Sequence, residues 1–243
     1  MLAVLAALGF AIQDNVPPPQ ADIERAIKLG SEALLARAPG VVSGQFGFNY
    51  GAGYEYDPLI LYTLVHSGVP LQEETVKRLL EKVLGATLQR TYQVALTAAA
   101  VAAIDPVKYQ EKLVQCGQYL VDWQCDNGQW AYGDKYEPDV KAGSAGDGGA
   151  KRTVAKVKIK RSKKLGPATG DNSNAQYAAL GLKACALGGC EFEDAVLTKA
   201  TEWWERSQHK DGGWGYRAPK DDKEKIGSYG SPRKHTPNRS TSA

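Results

Sequence analysis

A nine-residue pattern occurs twice in the chain, each time directly after a charged segment with helical periodicity. The pattern is Gln-x-x-x-Gly-x-Trp-x-Tyr, and it begins at Gln124 and again at Gln208. The two tryptophans, Trp130 and Trp214, lie 84 residues apart, and Phe46 in the related segment GQFGFNYG lies a further 84 residues upstream. A fixed period of this kind indicates a fold built from repeated structural units.

Two kinds of helical segment alternate between the glycine-rich turns. Amphipathic segments are predicted at 21–37, 71–85, 106–124 and 193–208, and almost wholly apolar segments at 57–68, 91–104 and 173–189. The apolar stripe of the first segment consists of Ile23, Ala26, Ile27, Leu34 and Leu35, and the expected cap of the last apolar segment is Asn172 or Ser173. Because a helix that is apolar all round must be covered on every side, we predict an all-α fold of stacked hairpins, with apolar helices inside and amphipathic helices outside.

The repeated pattern itself has a structural interpretation. A glycine permits the left-handed turn that ends the preceding helix, and the tryptophan can then fold back over the helix end. The glutamine amide is close enough there to satisfy exposed backbone groups. Each segment is therefore predicted to fasten one hairpin to the next, through the structural residues Gln124, Gly128, Trp130, Gln208, Gly212 and Trp214.

This pattern resembles the QW repeat of the terpenoid cyclase and protein prenyltransferase superfamily. The segment GDNSNAQYAALGLKA at 170–184 is also similar to the inner-helix segment of prenyltransferase/squalene-oxidase repeat proteins. The resemblance covers residues 20–217, with a degraded first copy at Gly44, Gln45 and Phe46. It implies a partial (α/α) toroid at 20–231, with a central cavity for an isoprenoid-type or other extended ligand.

The catalytic motifs of the resembled superfamily are missing from the sequence. The Asp-x-Asp-Asp motif with which triterpene cyclases protonate their substrate does not occur, and no Asp, Cys and His set matches the zinc site of the protein prenyltransferases. The four cysteines lack zinc-ligand spacing, so we expect no metal and no cofactor. Buried free thiols are expected instead, with Cys116 and Cys125 too far apart on one helix for a mutual disulfide. Whether the chain is an enzyme stays open.

Polar residues near the starts of the apolar helices are the candidates for lining a cavity. They are Asp57, Tyr92, Gln93, Asp171, Asn172, Asn174, Gln176 and Tyr177. A ring of tyrosines and carboxamides would suit the carbocationic path of an isoprenoid or a stacked sugar. Alternatively, Asp57 and Asp171 cap helices and the carboxamides satisfy backbone groups. Two functions are therefore consistent with the sequence. The chain is either a protein that binds or converts an isoprenoid, or a non-catalytic exported scaffold that holds a protein or polysaccharide.

A basic insertion interrupts the repeat at 134–170. Its segment 151–164, KRTVAKVKIKRSKK, carries eight Lys or Arg residues and no acid, although the net charge of the whole chain is only +3. The alternating residues 154–160 predict a ribbon or a disordered loop. The insertion has three interpretations, which are a solvated loop, a patch for anionic lipid headgroups and a nucleic-acid contact. The mildly acidic remainder of the chain gives no reason to expect nucleic-acid binding.

Both ends of the chain differ from the repeat. Residues 1–14 form an apolar segment that is too short to span a bilayer and resembles a signal-peptide core, which predicts an exported or periplasmic protein. A buried first helix in a cytoplasmic protein is the alternative. Residues 232–243 are predicted to be an unstructured tail. Seven helices are fewer than a closed toroid needs, so we expect either a toroid cut short after Ser231 or a half-ring that self-associates.

Overall fold

A computed structural model of the protein describes residues 17–37, 56–141, 153–209 and 212–216. These residues form seven α-helices and two short strands, which confirms the predicted all-α character. The helices are α1 (Gln20–Arg37), α2 (Asp57–His66), α3 (Glu74–Gly85), α4 (Thr91–Ile104), α5 (Gln110–Asp122), α6 (Asn172–Leu187) and α7 (Asp194–Ser207). The strands are β1 (Val157–Ile159) and β2 (Cys190–Phe192).

Helix α4 is at the centre of the packing. It contains no charged side chain, and 11 of its residues are buried. It packs against α2, α5 and α6. The contact with α6 is close, because a Cβ atom added at Gly181 would lie 2.7 Å from the Cα atom of Ala95. An apolar helix is stable in this position because its neighbours cover its faces.

The amphipathic helices cover the apolar ones. α3 buries Val76, Leu79 and Val83 in a cluster with side chains of α2, and α5 packs against both α4 and α6. α1 contacts α2 through its C-terminal half, where Leu34 and Leu35 pack. Ile23 and Ile27, which were predicted on the same stripe, are 38% and 46% exposed because they precede this contact.

The basic insertion is folded where the structure describes it. β1 pairs in parallel with β2, and Ile159 in β1 is buried. At the end of α5, the buried carboxylate of Asp122 accepts hydrogen bonds from the backbone N–H groups of Ser162 and Lys163, at 2.8 and 3.0 Å. Of the two interpretations of residues 154–160, the structure shows the ribbon, because the segment contains β1 and is held by contacts with β2 and α5.

All four cysteines are buried and none forms a disulfide, which confirms the prediction of free thiols. Their predicted placement was partly wrong, because α5 ends at Asp122 and Cys125 lies in the turn that follows. Burial raises the pKa of Cys116 to about 12 and that of Cys125 to about 11. Both thiols are therefore neutral at physiological pH.

Several sequence predictions fall outside the described residues. These are the signal-like segment at 1–14, the degraded first copy around Phe46 and the tail at 232–243, which stay predictions. Among the helices in the described ranges, none is long and apolar enough to cross a membrane.

Candidate functional site

The two tryptophans of the repeated pattern make the same hydrogen bond. The indole Nε1 of Trp130 donates to the carbonyl oxygen of Leu120, and that of Trp214 donates to the carbonyl oxygen of Trp204. Both bonds are 2.7 Å long, and both acceptors belong to the last turn of a helix. Each indole therefore lies over a helix end and satisfies one carbonyl group there that the helix itself cannot pair.

The glutamines and glycines of the two copies also correspond. The side-chain nitrogen of Gln124 donates to the carbonyl oxygen of Gly128 at 3.4 Å, and that of Gln208 donates to Gly212 at 2.9 Å. Gly128 and Gly212 have positive φ angles of 93° and 84°, a region in which glycine is strongly favoured. The turn is therefore built in the same way in both copies.

After the tryptophan, each copy returns to the start of an apolar helix. The backbone N–H of Thr91, the first residue of α4, donates to the carbonyl oxygen of Tyr132 at 2.8 Å. The N–H of Asn172, the first residue of α6, donates to the carbonyl oxygen of Tyr216 at 2.9 Å. Each copy of the pattern therefore satisfies a backbone N–H group that α4 or α6 cannot pair within its own first turn.

The first copy also contacts the next hairpin. The side chain of Gln124 donates to the carbonyl oxygen of Val196 in α7 at 2.9 Å. The backbone N–H of Asp171, directly before α6, donates to the carbonyl oxygen of Trp130 at 3.0 Å. At Gly128, a Cβ atom would collide with the backbone of α7. These contacts join the α4–α5 hairpin to the α6–α7 hairpin.

A cleft lies where the starts of α2, α4 and α6 meet the end of the first copy. We call it the tyrosine cleft, and its volume is about 180 Å³. Four tyrosines line it, Tyr56, Tyr92, Tyr132 and Tyr177. The other lining residues are Pro58, Leu59, Gln93, Leu96, Ser173 and Asn174. No lining residue carries a formal charge, so the cleft is neutral as far as the described residues form it.

The tyrosine rings in the cleft are strongly inclined to one another. The ring of Tyr92 makes edge-to-face contacts with Tyr132 at 6.5 Å and 86° and with Tyr177 at 6.2 Å and 62°. Edge-to-face packing is a favourable geometry for aromatic pairs. The rings therefore form inclined walls around Tyr92 and do not form one flat platform.

Half of the predicted cavity residues line the tyrosine cleft. Tyr92 and Gln93 reach it from α4, and Asn174 and Tyr177 reach it from α6. These four positions lie in the first or second turn of two apolar helices that pack side by side. Because the helix starts meet at one end of the fold, residues about 80 positions apart in sequence come together there.

The two predicted carboxylates do not line the cleft. Asp57 is buried in the first turn of α2, and its carboxylate pairs with the ammonium group of Lys82 at 2.8 Å. Asp171 is the N-cap of α6, where its carboxylate accepts the backbone N–H of Asn174 at 2.8 Å. The predicted cap, Asn172 or Ser173, was therefore wrong by one or two residues. Asp171 acts as a cap and Asp57 does not.

The two remaining candidates, Asn172 and Gln176, also lie outside the cleft. The buried side chain of Asn172 accepts hydrogen bonds from Gln129 Nε2 and Trp203 Nε1, both at 2.8 Å. Its amide nitrogen donates to the carbonyl oxygen of Gly215 at 2.6 Å, so this carboxamide holds the fold together. Gln176 is exposed and is not among the lining residues.

Sequence reasoning missed Tyr132 as a lining residue. Its signal was present, because the same tyrosine ends both copies of the pattern, as Tyr132 and Tyr216. The apolar lining residues Leu59 and Leu96 had no such signal, because leucines are frequent throughout the apolar helices. Leu59 and Leu96 line the cleft because α2 and α4 pack against each other in the folded protein.

The side-chain amide of Asn174, a residue that lines the cleft, is only partly paired. Its amide nitrogen donates to the carboxylate of Asp171 at 2.8 Å, which fixes the orientation of the amide because a carboxylate only accepts. Its oxygen has no hydrogen-bond partner among the described residues, although Asn174 is only 2% exposed. A buried acceptor without a partner is costly, so a donor at this position would be favourable.

The chain matches no protein-family model, and neither a curated protein nor a solved structure is significantly similar to it. Among the side chains that the structure describes, no group of three His, Cys, Asp or Glu residues is arranged to hold a metal ion.

Proposed function

We propose that the chain is an (α/α)-toroid repeat protein related to the terpenoid cyclases and prenyltransferases, and that it binds one end of an isoprenoid-type ligand in the tyrosine cleft. One observation carries the proposal. The two copies of the pattern make the same hydrogen bonds, and the first brings Tyr132 beside Tyr92 and Tyr177 from two separate hairpins. A repeat that builds the walls of a cleft supports a binding role for that cleft.

The shape and lining of the cleft favour an isoprenoid over a sugar. Sugars stack on open, flat aromatic faces, whereas the rings of Tyr132 and Tyr177 are inclined to that of Tyr92 and enclose a space. Leu59 and Leu96 add apolar contact area. The volume of about 180 Å³ is below the roughly 300–1,000 Å³ of ordinary ligand pockets. The cleft therefore accommodates one end of an extended ligand.

The polar group of the ligand is inferred to be a hydroxyl. The polar lining residues are uncharged tyrosines and the side chains of Gln93, Ser173 and Asn174, which favour an alcohol over an anionic diphosphate. The neutral lining of the cleft supplies no cation for a diphosphate either, as far as the described residues form it. A polyprenyl alcohol such as farnesol is therefore the suitable probe.

Binding without conversion of the ligand is the activity that the site supports best. The two carboxylates nearest the cleft in sequence are already engaged, Asp57 with Lys82 and Asp171 with the first turn of α6. Neither carboxylate lines the cleft, so neither is placed to transfer a proton to a ligand there. We therefore propose a binding protein and assign no catalytic residue.

The proposal is tested by calorimetric titration of the purified protein with farnesol. We expect saturable binding that Leu59→Ala and Tyr177→Ala weaken, because both side chains are partly exposed in the cleft. Leu187→Ala is the matched control, since Leu187 is 61% exposed at the opposite end of α6. A leucine side chain that the ligand buries fully contributes about 1.5–3 kcal/mol to the binding free energy, which sets the upper limit for the effect of Leu59→Ala.

Three outcomes would contradict the proposal. If farnesol does not bind saturably to the wild-type protein, the cleft is not an isoprenoid site. If an oligosaccharide binds and Tyr177→Ala abolishes that binding, the polysaccharide-binding role replaces it. Equal weakening by Leu59→Ala and Leu187→Ala would place the ligand elsewhere.

A further inference from the structure

Three lysines form a row on the exposed side of the insertion. Lys156, Lys158 and Lys160 are exposed, whereas Val157 is half-buried and Ile159 is buried between them. Successive side chains of a strand point to opposite faces, so the three lysines lie on one face at intervals of about 6.6 Å. We call this the lysine row.

Buried glutamines of α5 hold the lysine row at both ends. Gln110 Nε2 donates to the carbonyl oxygen of Ala155 at 2.6 Å, and Gln118 Nε2 donates to that of Lys160 at 2.8 Å. Between these anchors, Val157 of β1 pairs with Cys190 of β2. The backbone under the lysines is therefore fixed, and a ligand does not have to order it.

Asp122 anchors the chain directly after the lysine row. Its buried carboxylate accepts hydrogen bonds from Gln118 Nε2, from the hydroxyl of Tyr136 and from two groups of Ser162, as well as from the N–H of Lys163. A buried carboxylate with five donors is stable in this position. The negative charge of Asp122 is thus directed towards the interior and does not neutralise the row.

Only part of the basic charge of the insertion is neutralised within the fold. Lys156 pairs with Glu191 at 2.7 Å, and Lys164 pairs with Asp126 at 2.8 Å. Within the described part of the chain, Lys158 and Lys160 form no ion pair. Lys160 therefore presents uncompensated charge to the solvent, and Lys158 shares the single carboxylate of Glu191, its partner in the strand register, with Lys156.

From this arrangement we propose that the lysine row is a docking surface for an anionic lipid bilayer. A bilayer presents negative headgroups in a plane, and a straight row of ammonium groups on one face of a strand is complementary to it. Nucleic-acid surfaces usually combine basic charge with aromatic side chains that stack on bases. The exposed large apolar and aromatic residues in the described ranges all lie outside 153–170, so the bilayer is favoured.

Co-sedimentation with vesicles tests this proposal independently of the tyrosine cleft. The wild-type protein is expected to bind phosphatidylcholine vesicles that contain phosphatidylglycerol, and to be released by high salt. The double variant Lys158→Gln/Lys160→Gln is expected to bind roughly 25-fold more weakly, about fivefold for each lysine near the surface. The control is Lys28→Gln/Lys183→Gln, which changes the net charge equally at exposed sites on α1 and α6.

Four results would overturn the proposal. They are no binding to the anionic vesicles, equal binding to vesicles of phosphatidylcholine alone, equal weakening in both double variants, and binding of a single-stranded oligonucleotide at lower protein concentrations than the anionic vesicles. In the first case, the lysines only protect the β1 strand from pairing with other chains. Circular dichroism of both double variants checks that their folds are unchanged.

Discussion

The hydroxyl groups of Tyr132 and Tyr216 lie 3.2 Å apart, although the two residues are 84 positions apart in the chain. They occupy the same position in the two copies of the repeated pattern. Their contact joins the segments that close the starts of α4 and α6. The repeat therefore does more than end each hairpin, because its two copies also contact each other beside the starts of α4 and α6.

The two tryptophan hydrogen bonds are expected to differ in their contribution to stability. Trp130 is 1% exposed and Trp214 is only partly buried. Trp130→Phe leaves the carbonyl oxygen of Leu120 buried without its donor and removes part of the indole. We expect a loss of about 2–4 kcal/mol in the free energy of unfolding, measured by chemical denaturation. Trp214→Phe is expected to cost less, and equal losses would contradict this account of the repeat.

The glycines of the two turns provide a matched pair of substitutions. Both have positive φ angles, which disfavour alanine by about 1–2 kcal/mol. A methyl group at Gly128 would also collide with the backbone carbonyl of Lys199, whereas nothing lies within 4 Å of a Cβ atom at Gly212. Gly128→Ala should therefore lower the unfolding free energy clearly more than Gly212→Ala. Similar values would mean that the first copy does not contact α7 closely.

The buried cysteines predict a loss of stability at alkaline pH. Burial raises the pKa of Cys116 from 9.0 to about 12 and that of Cys185 well above its ordinary value. Because the thiol has a higher pKa in the folded state than in the unfolded state, it ionises more easily after unfolding. The free energy of unfolding is therefore unaffected below about pH 9 and decreases as the pH rises towards about 12. The midpoint temperature of thermal unfolding should therefore decrease as the pH is raised above 9. The decrease should be smaller in Cys116→Ala. An identical decrease in the variant would contradict this assignment.

The same burial predicts that the native thiols do not react. Because all four cysteine side chains are buried, a colorimetric thiol reagent does not reach them and should detect almost no cysteine in the folded protein at pH 8. All four should react after unfolding in guanidinium chloride. Rapid reaction of any one of them in the native protein would show that its site opens readily.

Asp122 is expected to control the order of the insertion. Asp122→Ala removes the acceptor for the backbone N–H groups of Ser162 and Lys163, and buried donors without a partner are costly. Hydrogen exchange is expected to become faster in residues 156–165, whereas α2 and α4 should stay protected. Exchange that becomes faster equally throughout the protein would show that Asp122 supports the whole fold.

The hairpin alternation and the local geometry of the repeat were accessible from the sequence. The bounds of α4 follow from an almost wholly apolar run without charged residues, and the positions of Trp130 and Gly128 follow from turn chemistry that depends on few residues. These features are local, so a pattern of adjacent residues determines them. The arrangement of all the helices as a toroid is a longer-range property and stays a proposal.

The order of the insertion could not be predicted from the sequence, and four of the eight predicted cavity residues lie outside the tyrosine cleft. The insertion is ordered by Gln110, Gln118 and Asp122 of α5, which lie about 40 residues away in sequence. Nothing in the local sequence of 153–164 indicates those partners. In the same way, Asp171 and Asn172 have the composition of a polar site, but their side chains are used to hold the start of α6.

The proposed role of the tyrosine cleft is tested most directly by NMR of the protein with isotope-labelled tyrosine rings during titration with farnesol. We expect saturable shifts of the ring signals of Tyr92, Tyr132 and Tyr177, which line the cleft. The signals of Tyr62, Tyr109 and Tyr119, which lie away from it, should stay unchanged. Unchanged signals of the cleft tyrosines at saturating farnesol, or equal shifts in both groups, would contradict the account.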